Sequence, residues 1–244
     1  MEVQVLGCGD AFGSGGRLHT CFHVTTARTR FLIDCGATAL IGMRRFGVDP
    51  NGVETVFLTH LHGDHFGGLP FLILDARLVS RRTTPLTIAG PVGLRERLRA
   101  LMEVMFPGSS TIELRFALQI IELKPEVPAE VNGVGVTPFM VRHPSGAPSC
   151  ALRLVCEGKV LCYTGDTEWV DTLIPAAKRA DLLIAEAYTA ERSVRYHLDW
   201  ATLRQHLPEI APRRVLLTHM SPDMLGRAPD GYEAAEDGLI IAIS

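Results

Sequence analysis

The stretch FLTHLHGDHFGGLP, residues 57–70, sets three histidines and an aspartate within six positions: His60, His62, Asp64 and His65. Burying a polar or ionisable side chain without a partner costs free energy. Four of them directly after the apolar run VETVFL therefore imply something that binds them. Gly67 and Gly68 follow, and their missing side chains allow close backbone approach as the chain turns into a helix.

Further along the chain, single ligand-type residues stand at the ends of other apolar runs. His143 ends VTPFMVRH, Asp166 ends KVLCYTGD and His219 ends RRVLLTH. Open α/β sheets place functional groups just beyond such strand ends. The set suits two metal ions. Neutral imidazole and carboxylate are good zinc ligands, with manganese or iron as alternatives. A carboxylate can bridge two cations and offset their repulsion. A lone histidine such as His206, inside a helical pattern, is read instead as an ordinary structural residue.

With 244 residues, 47% hydrophobic and 21% charged, the chain suits one globular domain spanning 1–244. A formal net charge of −3 gives nucleic acid no general attraction. The 24 basic residues are nearly all arginine, which leaves a local basic patch open, with Arg81, Arg82, Arg192 and Arg195 as candidates. The start MEVQVLGCGD lacks the pattern of a signal peptide, and no run is long enough to span a membrane. The expectation is a cytoplasmic protein whose six cysteines stay reduced. Cys150, Cys156 and Cys162 read as small core residues; Cys21 with His23 could hold a metal, but no CxxC pair supports it.

EVQVLG, CFHVTT and RFLIDCG read as strands, and ALIGMRRFG as a short helix closed by Gly47. GLPFLILDARLVS is a helix, PLTIAGP a strand, and Leu94, Leu98, Leu101, Met102 and Met105 recur on one helical face. The second half repeats this grammar. VGVTPFMVRH, CALRLVCEG and KVLCYTGD are strands, the last two joined by a tight turn at EGK. EWVDTLIPAAKRA reads as a helix with Pro175 inside it, DLLIAEA as a strand, and DWATLRQHL as a helix capped by Asp199. RRVLLTH and DGLIIAI are the last strands. Strands then helices, twice over, predict two sheets face to face with helices outside.

THLHGDH matches the HxHxDH signature of the metallo-β-lactamase superfamily, and RHP, YTGDTE and LTHMS follow in the order that family requires. LGCGDAFGSGGRLHT and FLIDCG also resemble it, so the likeness covers almost the whole chain. The resemblance implies an α/β fold, the αβ/βα sandwich of two mixed β-sheets flanked by helices. It implies His60, His62 and His143 on one metal and Asp64, His65 and His219 on a second, with Asp166 bridging. AEAYTAERSVRYHLDWATL and LTHMS resemble the branch of ribonuclease Z and related phosphodiesterases. There, Glu186 and His197 would match an acid-assisting pair. Ribonuclease Z carries a tRNA-gripping arm between the positions of His143 and Asp166. Here those residues are 23 positions apart, enough for a hairpin only.

The expected chemistry is hydrolysis by a hydroxide held between two divalent metals, most simply zinc. Asp64 would orient the nucleophile and accept its proton. His197 would protonate the leaving oxygen, and Glu186 would hold its imidazole in the right tautomer. The favoured substrate is a small phosphodiester. The alternatives are a ribonuclease Z-like endonuclease acting on RNA and a hydrolase of another ester or lactone; a non-enzymatic binding protein stands behind these. The helix FGGLPFLILDARLV is apolar enough to form a homodimer, although a core helix would read the same way.

Overall fold

The computed structural model describes residues 1–227 and 231–243. Its branched and aromatic runs pair into two sheets. In the first, β1 (Glu2–Gly7), β2 (Cys21–Thr25), β3 (Arg30–Ile33), β4 (Thr55–Phe57), β5 (Leu86–Pro91) and β6 (Leu118–Leu123) follow one another, and β14 (Ile240–Ala242) lies outside β1. In the second, β7 (Ala129–Val131), β8 (Val134–Met140), β9 (Cys150–Cys156), β10 (Lys159–Tyr163), β11 (Leu182–Glu186), β12 (Val215–Thr218) and β13 (Glu233–Ala234) lie side by side in chain order. Pairing is antiparallel from β14 through β3 and parallel from β3 to β6. It is antiparallel from β7 through β10 and parallel from β10 to β13. The two halves thus repeat one topology, and β14 crosses back to complete the first sheet.

Successive strand residues point to opposite faces, which divides the apolar side chains into three layers. Val3, Val5, Phe22, Phe31 and Phe57 meet Leu152, Leu154, Tyr163 and Ile184 between the sheets. Leu32, Val56 and Leu58 face outward under α1 (Ala39–Arg45), α3 (Leu69–Leu78) and α4 (Leu94–Met105). Leu183 and Leu217 face outward under α5 (Leu173–Ala177) and α6 (Trp200–Ile210). Full burial of each such side chain contributes roughly 1.5–3 kcal/mol, so the layers themselves set which way every strand end points.

The expected αβ/βα sandwich is therefore present, with local differences. The EGK turn forms as expected, with Glu157 and Gly158 at φ 52° and 75°, the left-handed pair that a two-residue hairpin loop needs. Asp199 caps α6, its carboxylate accepting the Thr202 amide at 2.8 Å. The helix expected over EWVDTLIPAAKRA shrinks to Leu173–Ala177. Its first residues are tied to the end of β8 instead: Glu168 N–H donates to Arg142 O at 3.4 Å and Thr172 Oγ1 to Met140 O at 2.6 Å. Leu69, Leu72, Ile73 and Ala76 of α3 are buried in the chain's own core. All six cysteines are buried and free. Among the described residues no helix is long and apolar enough to cross a membrane.

Candidate metal centre

The loop from β4 runs His60, His62, then α2 (Gly63–Phe66), which carries Asp64 and His65. It is pressed onto the loop after β3. A Cβ on Gly36 would stand 2.2 Å from Asp64 O, and one on Gly68 2.3 Å from Gly36 O. Only glycine fits either place, and that contact sets the height of the histidines. His143 arrives from the end of β8, Asp166 from β10 and His219 from β12.

The structure brings all seven residues together. One donor atom each from His60, His62 and His143 lies within 4.8 Å of the others, and the same holds for Asp64, His65, Asp166 and His219. His143 Nε2 faces His62 Nδ1 at 2.9 Å. Asp166 lies between the two groups: Oδ1 is 3.3 Å from His65 Nε2, while Oδ2 is 3.3 Å from His219 Nε2, 3.7 Å from His143 Nε2 and 4.0 Å from His60 Nε2. Asp64 Oδ2 is 3.2 Å from both His65 Nε2 and His219 Nε2.

These atoms fit cations. The buried His60 Nε2, His65 Nε2 and Asp166 Oδ1 have no hydrogen-bond partner. The opposite nitrogen of each ring is spoken for, which sets the tautomer. Thr59 Oγ1 donates to Asp34 Oδ2 at 2.8 Å and so accepts from His60 Nδ1 at 3.0 Å. His65 Nδ1 donates to Asp34 Oδ2 at 2.7 Å, and His143 Nδ1 to Tyr196 O at 3.0 Å. Burial, helped by the neighbouring rings, pushes His60 well below the usual imidazole range and lowers His62, leaving both neutral with a lone pair to offer. Burial opposes charge on His219 too, but Asp166, Asp64 and Glu186 outweigh it and raise its pKa to about 10. A pocket that draws protons this strongly is one that a divalent cation would suit.

Glu186 is fully buried and accepts three hydrogen bonds. Its Oε2 accepts the amides of Thr167 at 2.8 Å and Leu198 at 3.1 Å; its Oε1 accepts from His197 Nδ1 at 2.5 Å and lies 3.4 Å from His219 Nδ1. His197 stacks on Tyr188 with ring centroids 4.5 Å apart, and stands 5.1 Å from the His143 ring. One donor each from Asp166, Glu186, His197 and His219 also lie within 4.8 Å of one another. Three residues of the site have left-handed backbones that are costly without glycine: Asp34 at φ 58°, Tyr196 at 69° and His219 at 56°. Such strain, of order 1–3 kcal/mol each, persists where surrounding contacts over-determine it, and it clusters at functional sites.

Arg82, a candidate for gripping RNA, is only 2% exposed and is spent on backbone carbonyls. It donates to Thr84 O, Pro50 O, Val53 O and Pro85 O at 2.5–3.1 Å. Arg192 and Arg195 do lie in the segment leading to His197, with Arg195 over the Tyr196 ring at 4.5 Å. His206 belongs to none of the ligand groups and stacks on Trp169 with ring centroids 3.6 Å apart.

A doubled sheet–helix sandwich with an HxHxDH loop facing strand-end His, Asp and His residues is the metallo-β-lactamase fold, and its site residues are arranged as in ribonuclease Z-like proteins. Residues 1–238 match the family described as anti-Pycsar protein Apyc1, and the chain belongs to that family. It is 35% identical over 129 residues to ribonuclease Z of Bacillus thuringiensis (strain Al Hakam), a match covering 52% of this chain and 40% of that protein. The crystal structure of human tRNase Z, short form, superposes with a TM-score of 0.82 at 28% identity, covering 100% of both chains. The metallo-β-lactamase fold protein YhfI from Bacillus subtilis gives 0.81 at 21% identity over 98% of each, a likeness of fold.

The seven converging residues and the His197–Glu186 pair are legible in the sequence. Asp34, Thr59 and Tyr196, which aim the rings, are found only in the structure. FLIDCG carried a signal for Asp34, a carboxylate directly after an apolar strand like the others. Tyr196 acts through its carbonyl, which no side-chain pattern announces.

Proposed function

We propose that the chain hydrolyses a small phosphodiester at a two-metal centre. His60, His62 and His143 would hold one divalent ion and Asp64, His65 and His219 the other, with Asp166 shared; zinc suits this donor set best. Such ions lower the pKa of water and stabilise negative charge growing on phosphoryl oxygens. The remaining work belongs to the chain. Asp34, Thr59 and the Tyr196 carbonyl keep the imidazole lone pairs aimed inward. Asp64 accepts the proton of the attacking water. His197, with Nδ1 committed to Glu186, has Nε2 left to give a proton to the leaving oxygen.

The choice of a small substrate rests on what lies between His143 and Asp166. That interval holds one short loop and the β9–β10 hairpin, and nothing that projects to hold a tRNA. The likeness to ribonuclease Z and human tRNase Z supports phosphodiester chemistry; the missing arm and the inward Arg82 favour a compact substrate. Metal-loaded protein should turn over bis(p-nitrophenyl) phosphate faster than it cleaves a pre-tRNA at equal concentration. Efficient, site-specific 3′ processing of the pre-tRNA would instead establish the endonuclease reading, and turnover of only a carboxylic ester or lactone in a parallel screen would remove phosphodiesters altogether.

A further inference from the structure

Residues Val194–His197 form a turn closed by His197 N–H donating to Val194 O at 3.0 Å. Tyr196 occupies its third position at φ 69°, a conformation that glycine or asparagine ordinarily supplies. Two bonds hold this peptide from opposite sides. The Tyr196 carbonyl accepts from His143 Nδ1 at 3.0 Å, and the Tyr196 amide donates to Glu168 Oε2 at 3.0 Å. Glu168 Oε1 is itself anchored by Arg142 Nη1 at 2.9 Å, and Glu168 and Arg142 form an isolated antiparallel bridge. The turn therefore carries His197 and aims His143 at once, and Glu168 is the side chain that pins it.

We propose that Glu168 is a positioning residue: by holding the Tyr196 amide, it keeps the left-handed turn in which the Tyr196 carbonyl orients the His143 ring toward the first metal position. This rests on reading His143 as a metal ligand. Its contacts with Arg142 hold the local structure, and the hydrogen bond from the Tyr196 amide is the one that reaches the site. A Gln at 168 retains an oxygen to accept that amide; an Asp, one methylene shorter, withdraws it; Arg142→Ala removes the anchor yet leaves the bond itself possible.

The test is a zinc titration of the purified full chain against a competing chelator, with the thermal midpoint recorded beside it. Partners of ligating histidines are worth roughly 10–100-fold in metal affinity. Glu168→Ala is expected to weaken one of the two zinc ions, the one that His143 would hold, by about that factor, with Glu168→Asp also clearly weakened. Glu168→Gln and Arg142→Ala should stay near wild type. The exchange-protected Nδ1–H of His143, followed by NMR with ¹⁵N-labelled histidine, should be lost in Glu168→Ala and Glu168→Asp and kept in Glu168→Gln. Should the Ala variant fail to fold, the Asp and Gln variants carry the comparison. Zinc affinity and the His143 signal unchanged in the Asp variant, or lost equally in Gln and Asp, overturn the proposal. A wild-type chain that binds no zinc sinks the metal reading itself and is seen before any variant is compared.

Discussion

His197 stands among the proposed ligands without being placed as one. Its Nδ1 is taken by Glu186 at 2.5 Å, and its ring stacks on Tyr188. A proton donor matters most when the leaving oxygen is poor, and general acid help is typically worth ~10²–10⁴ in rate. His197→Ala should therefore slow an alkyl-leaving diester by a factor in that range, while a nitrophenyl diester, whose anion departs unaided, is slowed far less. Zinc content measured on the same preparation should equal the wild type. An equal fall for both substrates assigns His197 to binding or structure; loss of zinc makes it a ligand. At this scale the sequence was legible where function sits in a side chain at the end of an apolar strand. That covers His143, Asp166 and His219, which structure places against the histidine loop. It was not legible where function depends on a backbone angle. Tyr196 aims His143 through the carbonyl of a left-handed residue, and no side-chain pattern marks that.

The element that carries the histidines is seated by contact of backbone on backbone. Gly36 faces Asp64 O so closely that a methyl group would sit 2.2 Å from it, with His19 Cβ at 2.5 Å. Neither the α2 loop nor the loop after β3 can give way cheaply. Gly36→Ala is expected to cost about 1–3 kcal/mol, the usual range for overpacking. For a chain of this size each kcal/mol lowers the melting temperature by roughly 2–4 °C. Asp64 would be displaced with the loop, so zinc bound per chain should also fall. A Gly36→Ala protein that melts and binds zinc like the wild type would show that the loops yield. Strands with apolar alternation, β1, β8 and β9 among them, and the continuously apolar β11 were readable as elements. β6, β7 and β13 escaped notice. β7 and β13 are two or three residues long, and β6 is half-buried along most of its length, so its alternation is faint. The return of β14 to β1 joins the two ends of the chain, a pairing that periodicity cannot carry.

Across the whole molecule, the loop after β4 supplies four of the proposed ligands from the first sheet, and the ends of β8, β10 and β12 supply three from the second. If the chain is one cooperative domain, as its composition suggests, both sheets should melt in a single transition. Metal that binds only the folded state adds stability as free ion rises, about 2.7 kcal/mol at a hundred times the dissociation constant. Stripping the metal with a chelator should then lower the midpoint by roughly 5–11 °C at the scale above; identical melting of stripped and loaded protein would argue against ligands spread over both sheets. The same division has a bearing on turnover. Proteases that act on the transiently opened chain respond to how often it opens, and a hundredfold excess of ion makes opening about a hundred times rarer. With a divalent ion held as proposed, a cell short of that ion would clear the protein faster, so that its abundance would follow the metal supply.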